Sequence, residues 1–400
     1  MTVVTCARME EYVNKTRDEL IAVCKSLNIS GYTKKKKQDI IALIQEATGT
    51  SEGTSEGTGT GTGIGVRFVD LFCGIGGFHA AISRVLPGSQ CVMASDIDPQ
   101  VRRTYEMNYH VKPLGDIKGI DIGSIPHFDL LCGGFPCQAF SIAQWKDKKA
   151  FDDPRGTLFF EILKFIDCRR PKCVLLENVA HLTKINKGVV LQTILNSLHA
   201  RGYTVSYTLL SPHQFGVPQN RERVYIVATT LEQEFDFTSL AGRRSTCKLA
   251  DILDPIDEVP DDHYIDESKY VLLDPAQTKK QVKSGLQFCG YLKGELRKVG
   301  ARENTEHLSR THKQLMRIYS SNGTHPTLAA SETSGRYHIY DESTRRVRRL
   351  TLNECYKLMA YPATFIKHTT KGVAYKQIGN SVCVRVVEEI LAELVKQGHL

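Results

Sequence analysis

The chain has 400 residues, of which 41% are hydrophobic and 24% are charged, and its formal net charge is +8. This composition predicts a globular protein with two or three cores, and it excludes a wholly disordered chain, a fibrous repeat and a small disulfide scaffold. The mild positive charge favours a polyanionic partner.

Cysteine spacing and hydropathy bear on the cellular compartment. The 12 cysteines show no Cys-x-x-Cys spacing, so we expect reduced thiols and no metal site. The sequence lacks a signal segment and the roughly 18 to 20 consecutive apolar residues that cross a bilayer. We therefore expect an intracellular protein that makes no membrane contact, in the cytoplasm or, in a eukaryotic or viral setting, the nucleus or a viral factory.

The N-terminal residues 1–47 predict two short helices. Thr16 and Glu19 match a capping box, and apolar residues then recur on one helical face until Gly31. A second helix begins with four lysines at 34–37. The pair resembles the SAP module, a small helical DNA-binding unit. DNA binding and a partner-binding or solubilising role both stay open for this SAP-like module.

Residues 48–65 contain seven Gly, six Thr and one apolar side chain, which predicts a flexible linker. Beyond it, short β-rich runs alternate with helical stretches, the pattern of an α/β protein with a parallel sheet. The predicted strands are 66–71, 91–94, 128–132, 173–176, 205–210 and 224–228.

The first predicted strand runs into a glycine-rich turn, Phe72 to Gly77, which permits close approach of a ligand. Asp96 follows the second strand, twenty residues after Gly76, where a carboxylate binds ribose hydroxyls. Asp116 comes after a third segment and is suited to accept an adenine amino group. The Gly-x-Gly-Gly spacing favours a nucleoside cofactor over a dinucleotide.

Three further segments bring reactive side chains to the same edge of the predicted sheet. Cys137 lies on a loop after the strand 128–132, and its thiol must have a lowered pKa to act as thiolate. Glu177 follows the next strand. Arg221 and Arg223 would share one face if the strand 224–228 extends back to them, because alternate residues share a face.

These segments resemble, in order, the motifs of the cytosine-5 DNA methyltransferases, especially the bacterial restriction-modification enzymes. The resemblance covers about residues 66–400 and is carried by 68–77, 134–138, 177–179, 219–223 and 377–382. It implies a Rossmann-like, S-adenosylmethionine-dependent methyltransferase sheet of the α/β class, with a smaller target-recognition domain and the small N-terminal helical module.

The resemblance implies a role for each reactive side chain. Cys137 would add to carbon 6 of cytosine and make carbon 5 nucleophilic. Glu177, with a raised pKa in a desolvated pocket, would hydrogen-bond N3 and the exocyclic amine. Arg223 would donate to O2, and Arg221 would orient Glu177. The base that removes the carbon 5 proton is not identified, and water is one possibility.

The same resemblance implies the cofactor contacts. Phe72 would stack on the adenine, Asp96 bind the ribose and Asp116 contact the adenine amine. The remaining residues of the expected S-adenosylmethionine cleft are Gly74, Gly76, Leu158, Asn380 and Val382. Ile97 stands where many relatives have an aromatic residue, which removes one packing contact.

Double-stranded DNA is the expected partner of a monomeric protein. The target base would flip out of the duplex into the pocket. Gln138 and Ser141 resemble residues that hold the loop and the adjacent phosphate. Thr327 with Leu328 resembles the Thr-Leu signature of target-recognition regions, and simple packing is the alternative for this pair.

The charges divide the C-terminal half. We expect a catalytic domain at 66–230, a target-recognition domain at 231–344 and a return to the catalytic domain at 345–400. Residues 231–275 hold 4 basic and 12 acidic residues, whereas residues 276–320 hold 10 basic and 3 acidic. We expect the basic stretch, followed by Arg345, Arg346, Arg348 and Arg349, to face phosphates, and the acidic stretch to face solvent or the catalytic domain.

Two other functions are compatible with parts of the sequence. A transfer-RNA cytosine-5 methyltransferase would use the same motifs. Against it, the variable segment inserted between Arg223 and Arg349 is long, and the Cys-Phe-Thr tripeptide of the RNA enzyme is lacking. A non-catalytic DNA-binding protein would use the N-terminal helices and the basic lobe. The presence of all the catalytic residue types disfavours that second alternative.

Overall fold

The computed structural model describes residues 65–136, 158–278, 280–294, 305–330 and 337–400, together with residues 16, 19–21, 25 and 37. The chain forms two compact units, residues 1–63 and 64–400. None of the helices in these described ranges is long and apolar enough to cross a membrane.

The first unit begins a helix where the sequence predicts one. The backbone N–H of Thr16 donates to Glu19 Oε2 at 2.6 Å, and the N–H of Glu19 donates to Thr16 Oγ1 at 3.4 Å. Leu20 follows in helical conformation and is buried. The predicted capping box is thus confirmed, and most of the SAP-like module and of the linker lies outside the described residues.

The second unit contains a six-stranded sheet with the strand order β2-β1-β3-β4-β7-β5. Its strands are β1 (Arg67–Leu71), β2 (Gln90–Ser95), β3 (Leu130–Gly134), β4 (Cys173–Val179), β5 (Thr204–Leu210) and, after a two-residue strand β6 (Gln219–Asn220), β7 (Arg223–Thr229). The α/β class is confirmed, and all six predicted strands are present with ends shifted by a few residues.

Helices cover both faces of this sheet. They are α1 (Gly77–Val85), α2 (Pro99–Tyr109), α3 (Leu158–Arg169), α4 (Val189–His199), α5 (Thr238–Ala241), α6 (Leu352–Lys357), α7 (Lys371–Asn380) and α8 (Val384–Lys396). Alternate strand residues face opposite ways, so Phe68 packs with α1 and α8. Its neighbour Val69 packs with α3 and α4 in a second core.

The expectation of a parallel sheet is correct for the direction of five strands and wrong for β7. β2, β1, β3 and β4 are parallel, whereas β7 is antiparallel to both β4 and β5. The connection from β5 to β7 contains no α-helix, and a parallel pairing needs a longer crossover. As a result, the start of β7 lies at the same edge as the ends of β3 and β4.

A smaller five-stranded sheet lies in the inserted segment, with the order β13-β12-β10-β9-β8. Its strands are β8 (Tyr270–Leu272), β9 (Phe288–Leu292), β10 (Arg317–Ser320), β12 (His338–Asp341) and β13 (Arg346–Arg349). A short parallel pair, β6 with β11 (His325–Pro326), joins this segment to the connection between β5 and β7. β13 extends the smaller sheet beyond residue 344, the predicted end of the target-recognition domain.

The structure corrects the prediction for one of the arginines expected to face phosphates. Arg348 is fully buried, and its guanidinium donates to both carboxylate oxygens of Glu354 at 2.8 and 3.0 Å and to Asp341 at 3.3 Å. A buried charge needs such partners, so Arg348 ties β13 to α6. In the acidic stretch, Asp254 accepts from Lys357 of α6 at 2.8 Å, as expected for a stretch facing the catalytic domain.

Candidate active site

A cavity of about 650 Å³ opens at the edge where β1, β3 and β4 end. One side, the glycine-turn wall, is lined by Phe72, Gly74, Ile75 and residues 95–98 and 115–117. The other side, the arginine wall, is lined by Arg221, Arg223 and residues 177–179 and 327–330. The cavity brings together most predicted site residues: Phe72, Gly74, Asp96, Ile97, Asp116, Leu158, Glu177, Arg221, Arg223, Thr327 and Asn380.

The glycine-turn wall owes its shape to backbone conformation. Phe72, Gly74 and Gly76 have positive φ angles of 53°, 54° and 84°, a region that glycine adopts with little strain. The N–H of Gly74 donates to Asp96 Oδ2 at 3.0 Å, so the carboxylate fixes the turn from the second strand. At Gly74 the turn therefore presents backbone, not a side chain, to a ligand.

The carboxylates of this wall suit a nucleoside. Burial raises the pKa of Asp96, whose other oxygen accepts the N–H of Asp98 at 2.9 Å. Asp116 lines the same wall and caps a short 3-10 turn through the N–H of Lys118. These acceptors match the hydroxyls of a ribose and an exocyclic amine. Ile97 lines the cavity and is 72% exposed, so little of its side chain packs against the rest of this wall.

Two predicted cleft residues lie behind the wall instead of on it. Gly76 is the N-cap residue directly before α1, and its carbonyl accepts a hydrogen bond from the hydroxyl of Tyr109 at 2.8 Å. Val382 is buried, and a Cβ added to Gly77 would lie 2.6 Å from the Cγ2 atom of Val382. Both residues support the glycine turn from within the core, and the prediction that they contact the cofactor stays a prediction.

Glu177 and Arg223 form a buried ion pair on the arginine wall. Arg223 Nε lies 3.1 Å from Glu177 Oε1, and Glu177 is 9% exposed. Burial raises the pKa of Glu177, while the charges of Arg223 and Arg221 oppose that shift. The direction of this shift is the one that the predicted role of Glu177 requires.

Arg221 makes other contacts than expected. Its guanidinium donates to the carbonyls of Leu328 at 3.1 Å, Gly379 at 3.1 Å and Ser381 at 2.8 Å. The contact that would orient Glu177 belongs to Arg223 instead. β7 begins only at Arg223, so the two arginines do not share one face of a strand.

Thr327 reaches the arginine wall through the short β6–β11 pair. Its hydroxyl donates to the carbonyl of Asn220 at 2.7 Å. The N–H of Leu328 donates to Gln219 Oε1 at 3.0 Å, and Leu328 is buried. The Thr-Leu pair thus packs against the same segment that carries the two arginines.

Cys137, Gln138 and Ser141 lie outside the described residues, but the strand end that leads to them is fixed. Asn178 Nδ2 donates to the carbonyl of Phe135 at 2.8 Å, two residues before Cys137. Asn178 lies within the motif at 177–179, and the resemblance implies no role for it. Its place directly after Glu177 is the signal that would have identified it.

The sequence also missed residues on α2 and α7. Gln100, Val373 and Lys376 line the cavity because α7 is held to α2: Gln377 Nε2 donates to the carbonyl of Gln100 at 3.2 Å. No spacing within either helix indicates this contact. In the described part of the chain no group of His, Cys, Asp and Glu side chains could hold a metal ion.

Residues 66–396 match the family model described as C-5 cytosine-specific DNA methylase. The type II methyltransferase M.HhaI of Haemophilus parahaemolyticus is 33% identical over 334 residues, which cover 81% of this chain and 93% of that protein. The type II methyltransferase M1.ScrFI of Lactococcus lactis subsp. cremoris is 35% identical over 335 residues, with coverages of 82% and 78%.

Among solved structures, the Dnmt2 methyltransferase of S. pombe matches with a TM-score of 0.60 at 20% identity, covering 83% of this chain and 99% of that one. This likeness supports the fold. At the N-terminus, residues 11–53 match the model of the Rho termination factor N-terminal domain. The SAP-like assignment of that region stays a prediction.

Proposed function

The chain belongs to the C-5 cytosine-specific DNA methylase family, and from this membership we propose that it transfers a methyl group from S-adenosylmethionine to carbon 5 of a cytosine in double-stranded DNA. The observation that carries the proposal is a single cavity in which a buried Glu177–Arg223 pair faces a glycine turn fixed by Asp96. This arrangement is observed in the structure of this chain and is therefore support in addition to the family match.

The nucleophile is Cys137. Carbon 5 of cytosine is a weak nucleophile, so the Cys137 thiolate adds to carbon 6 and transfers electron density to carbon 5. Pro136, the residue before Cys137, lines the cavity, and Asn178 holds the carbonyl of Phe135. These contacts hold the chain directly before Cys137 at the cavity.

Glu177 and Arg223 act on the cytosine ring. Addition at carbon 6 pushes negative charge toward N3 and O2, and a protonated Glu177 neutralises it by donating to N3. Arg223 stabilises the charge on O2. The pKa of Glu177, raised by burial, supports the protonated form that this role needs. Once carbon 5 has taken the methyl group, a base, with water as one candidate, removes the carbon 5 proton, and Cys137 is eliminated as thiolate.

The glycine-turn wall would hold the cofactor. S-adenosylmethionine supplies an electrophilic methyl group when it is bound. Asp96 would bind the ribose hydroxyls, Asp116 the adenine amine, and Phe72 the adenine face, with Leu158 and Asn380 completing the site. The paired backbone and carboxylate groups of this wall support that assignment.

A cytosine inside a duplex would have to leave the base stack to reach Glu177, so we assign base flipping to this reaction. Gln138, Ser141 and Thr327 would contact the DNA, and the basic stretch 276–320 would meet its phosphates. A single copy of the chain carries all these groups, in keeping with a monomer.

Methyl transfer from radiolabelled S-adenosylmethionine to unmethylated plasmid DNA tests the proposal. Cys137→Ala should abolish transfer and keep DNA binding, because binding uses other residues. Cys168→Ala is the matched control, since Cys168 is an exposed thiol on α3. Equal activity of Cys137→Ala, or transfer to RNA and not to DNA, would contradict the proposal. Methylation-sensitive sequencing of the product would give the recognised site.

A further inference from the structure

We infer that Arg221 is a positioning residue that joins the two walls of the cavity, so that cofactor and DNA bind cooperatively. The inference rests on the proposed function, because it takes the glycine-turn wall as the cofactor side and the arginine wall as the DNA side. It gives Arg221 a role other than the orientation of Glu177 that the sequence suggested.

The contacts of Arg221 span three parts of the chain. Arg221 is 4% exposed, and its own N–H donates to Ser211 Oγ at 3.1 Å. Its guanidinium binds Leu328 on the arginine wall and the carbonyls of Gly379 and Ser381 at the end of α7. The planar guanidinium has donors that point in fixed directions, so it can hold three carbonyls at once.

The segments held by Arg221 touch each other without intervening side chains. A Cβ on Gly379 would lie 2.8 Å from the carbonyl oxygen of Ala329 and 2.9 Å from the Cα of Ala330. The end of α7 therefore lies directly on residues 327–330. Because the contact is backbone to backbone, a shift of one segment has to move the other.

The end of α7 in turn supports the glycine turn. A Cβ on Gly77 would lie 2.6 Å from Val382 Cγ2 and 3.1 Å from Ser381 Oγ. Ser381 is the same residue whose carbonyl Arg221 holds. A continuous line of contacts thus runs from Leu328 through Arg221 and Ser381 to the turn that would receive the cofactor.

The hydrogen bonds of Arg221 distinguish this role from a direct action on the base. Both terminal nitrogens are engaged with carbonyls, and the ion pair with Glu177 is made by Arg223. Its Nε has no hydrogen-bond partner among the described residues. A contact of this Nε with the base would act on kcat, whereas the positioning role acts on binding.

Cooperative binding follows from this connection. A ligand that orders one wall leaves less ordering to be done when the second ligand binds the other wall. By thermodynamic linkage, each ligand must then raise the affinity of the other by the same factor. Removal of the connection should lower this factor while each ligand still binds alone.

The test uses the full chain, S-adenosylhomocysteine and a duplex that contains the methylated site, or sheared plasmid DNA if no site is found. The Kd for DNA is measured with and without saturating S-adenosylhomocysteine. We expect at least about tenfold tighter DNA binding in the wild type and less than about threefold in Arg221→Lys, within the usual range of coupling between sites. Lysine keeps the charge but loses the fork of donors.

Kinetics separate positioning from catalysis. In Arg221→Lys the KM values for both substrates should rise more than kcat falls. Arg201→Lys is the matched control, because Arg201 pairs with Asp167 at an exposed site between α3 and α4 and should keep the wild-type factor. An unchanged factor in Arg221→Lys, or a loss confined to kcat, would overturn the inference.

A second variant covers the case in which Arg221→Lys does not fold. Gly379→Ala keeps Arg221 and pushes residues 327–330 away from α7, so it should lower the coupling factor as well, and an unchanged factor there would overturn the inference. Absence of coupling in the wild type would do the same. Failure of the wild type to methylate DNA would contradict the proposed function, while the Kd measurements would still test the coupling.

Discussion

The glycine-turn wall takes its form from backbone conformation and from residues close in sequence, whereas the arginine wall depends on buried charges brought together from distant segments. Gly74 and Asp96, which meet on the first wall, are 22 residues apart. On the second, Arg221 binds carbonyls 107 and 160 residues away. The first wall is thus built to hold a ligand and the second to place charge, so substitutions on them should affect different kinetic constants.

The largest effect should come from Glu177→Gln on the arginine wall. The amide cannot deliver a proton to N3, so kcat should fall about 10²- to 10³-fold, the range expected for loss of general acid catalysis. The KM for S-adenosylmethionine should stay within about twofold, because Glu177 is not on the glycine-turn wall. Steady-state kinetics with both substrates varied would check this. A change confined to the KM for S-adenosylmethionine would contradict the assignment of separate roles to the two walls.

The pH dependence of Glu177→Gln provides its control. Burial raises the pKa of Glu177, so the wild type should keep the protonated, active carboxyl to a higher pH than a free glutamic acid would. Activity should therefore fall as the pH rises through that raised pKa. The residual activity of Glu177→Gln should lack this decline, since an amide does not titrate. An identical decline in both proteins would assign it to another group.

A smaller effect is expected from Gly76→Ala behind the glycine-turn wall. The φ angle of Gly76 is 84°, and a Cβ there would lie 2.2 Å from Tyr109 Cε2. Strain of about 1 to 3 kcal/mol at such a position should raise the KM for S-adenosylmethionine about 5- to 100-fold and lower Tm. Gly216→Ala is the matched control, with a φ of 83° and open space around its Cβ; it should cost stability and leave KM unchanged.

The smallest effect should come from Tyr109→Phe, which removes one hydrogen bond and keeps the ring. The lost bond from the hydroxyl to the Gly76 carbonyl is worth about 0.5 to 1.5 kcal/mol. The KM for S-adenosylmethionine should rise about two- to tenfold with kcat unchanged. Tyr207→Phe, at an exposed position of β5, is the control. A fall in kcat without a change in KM would show that the glycine-turn wall also serves the chemistry.

The contrast between the walls also explains what could be predicted from the sequence. Gly74 and Asp96 come soon after strands and Glu177 lies near the end of β4. The ends of neighbouring parallel strands meet at one edge, so their convergence could be inferred. Arg223 reaches the same edge for a different reason. It is the first residue of the antiparallel strand β7, and the direction of β7 depends on the conformation of the preceding connection, which the strand pattern does not indicate.

Other features depend on packing that a linear pattern does not show. Gly76 and Val382 belong to the expected motifs, yet core packing places them behind the wall. Arg348 belongs to a basic run but is buried, because Glu354 of α6 and Asp341 of β12 supply its partners. Arg221 is a similar case. Its partners are backbone carbonyls, which every residue has, so the sequence does not indicate which of them it binds.

The packing of α8 against α1 has a consequence for synthesis of the protein. Both helices cover the same face of the sheet, and Arg84 of α1 donates to Glu388 of α8 at 2.6 Å. The apolar residues of α1, which follows β1 in the chain, therefore lack their packing partner until α8 has been synthesised and has left the ribosome. The six-stranded sheet cannot complete its core strand by strand during translation. A nascent chain that already carries the glycine turn, Glu177 and both arginines would accordingly remain unable to modify DNA.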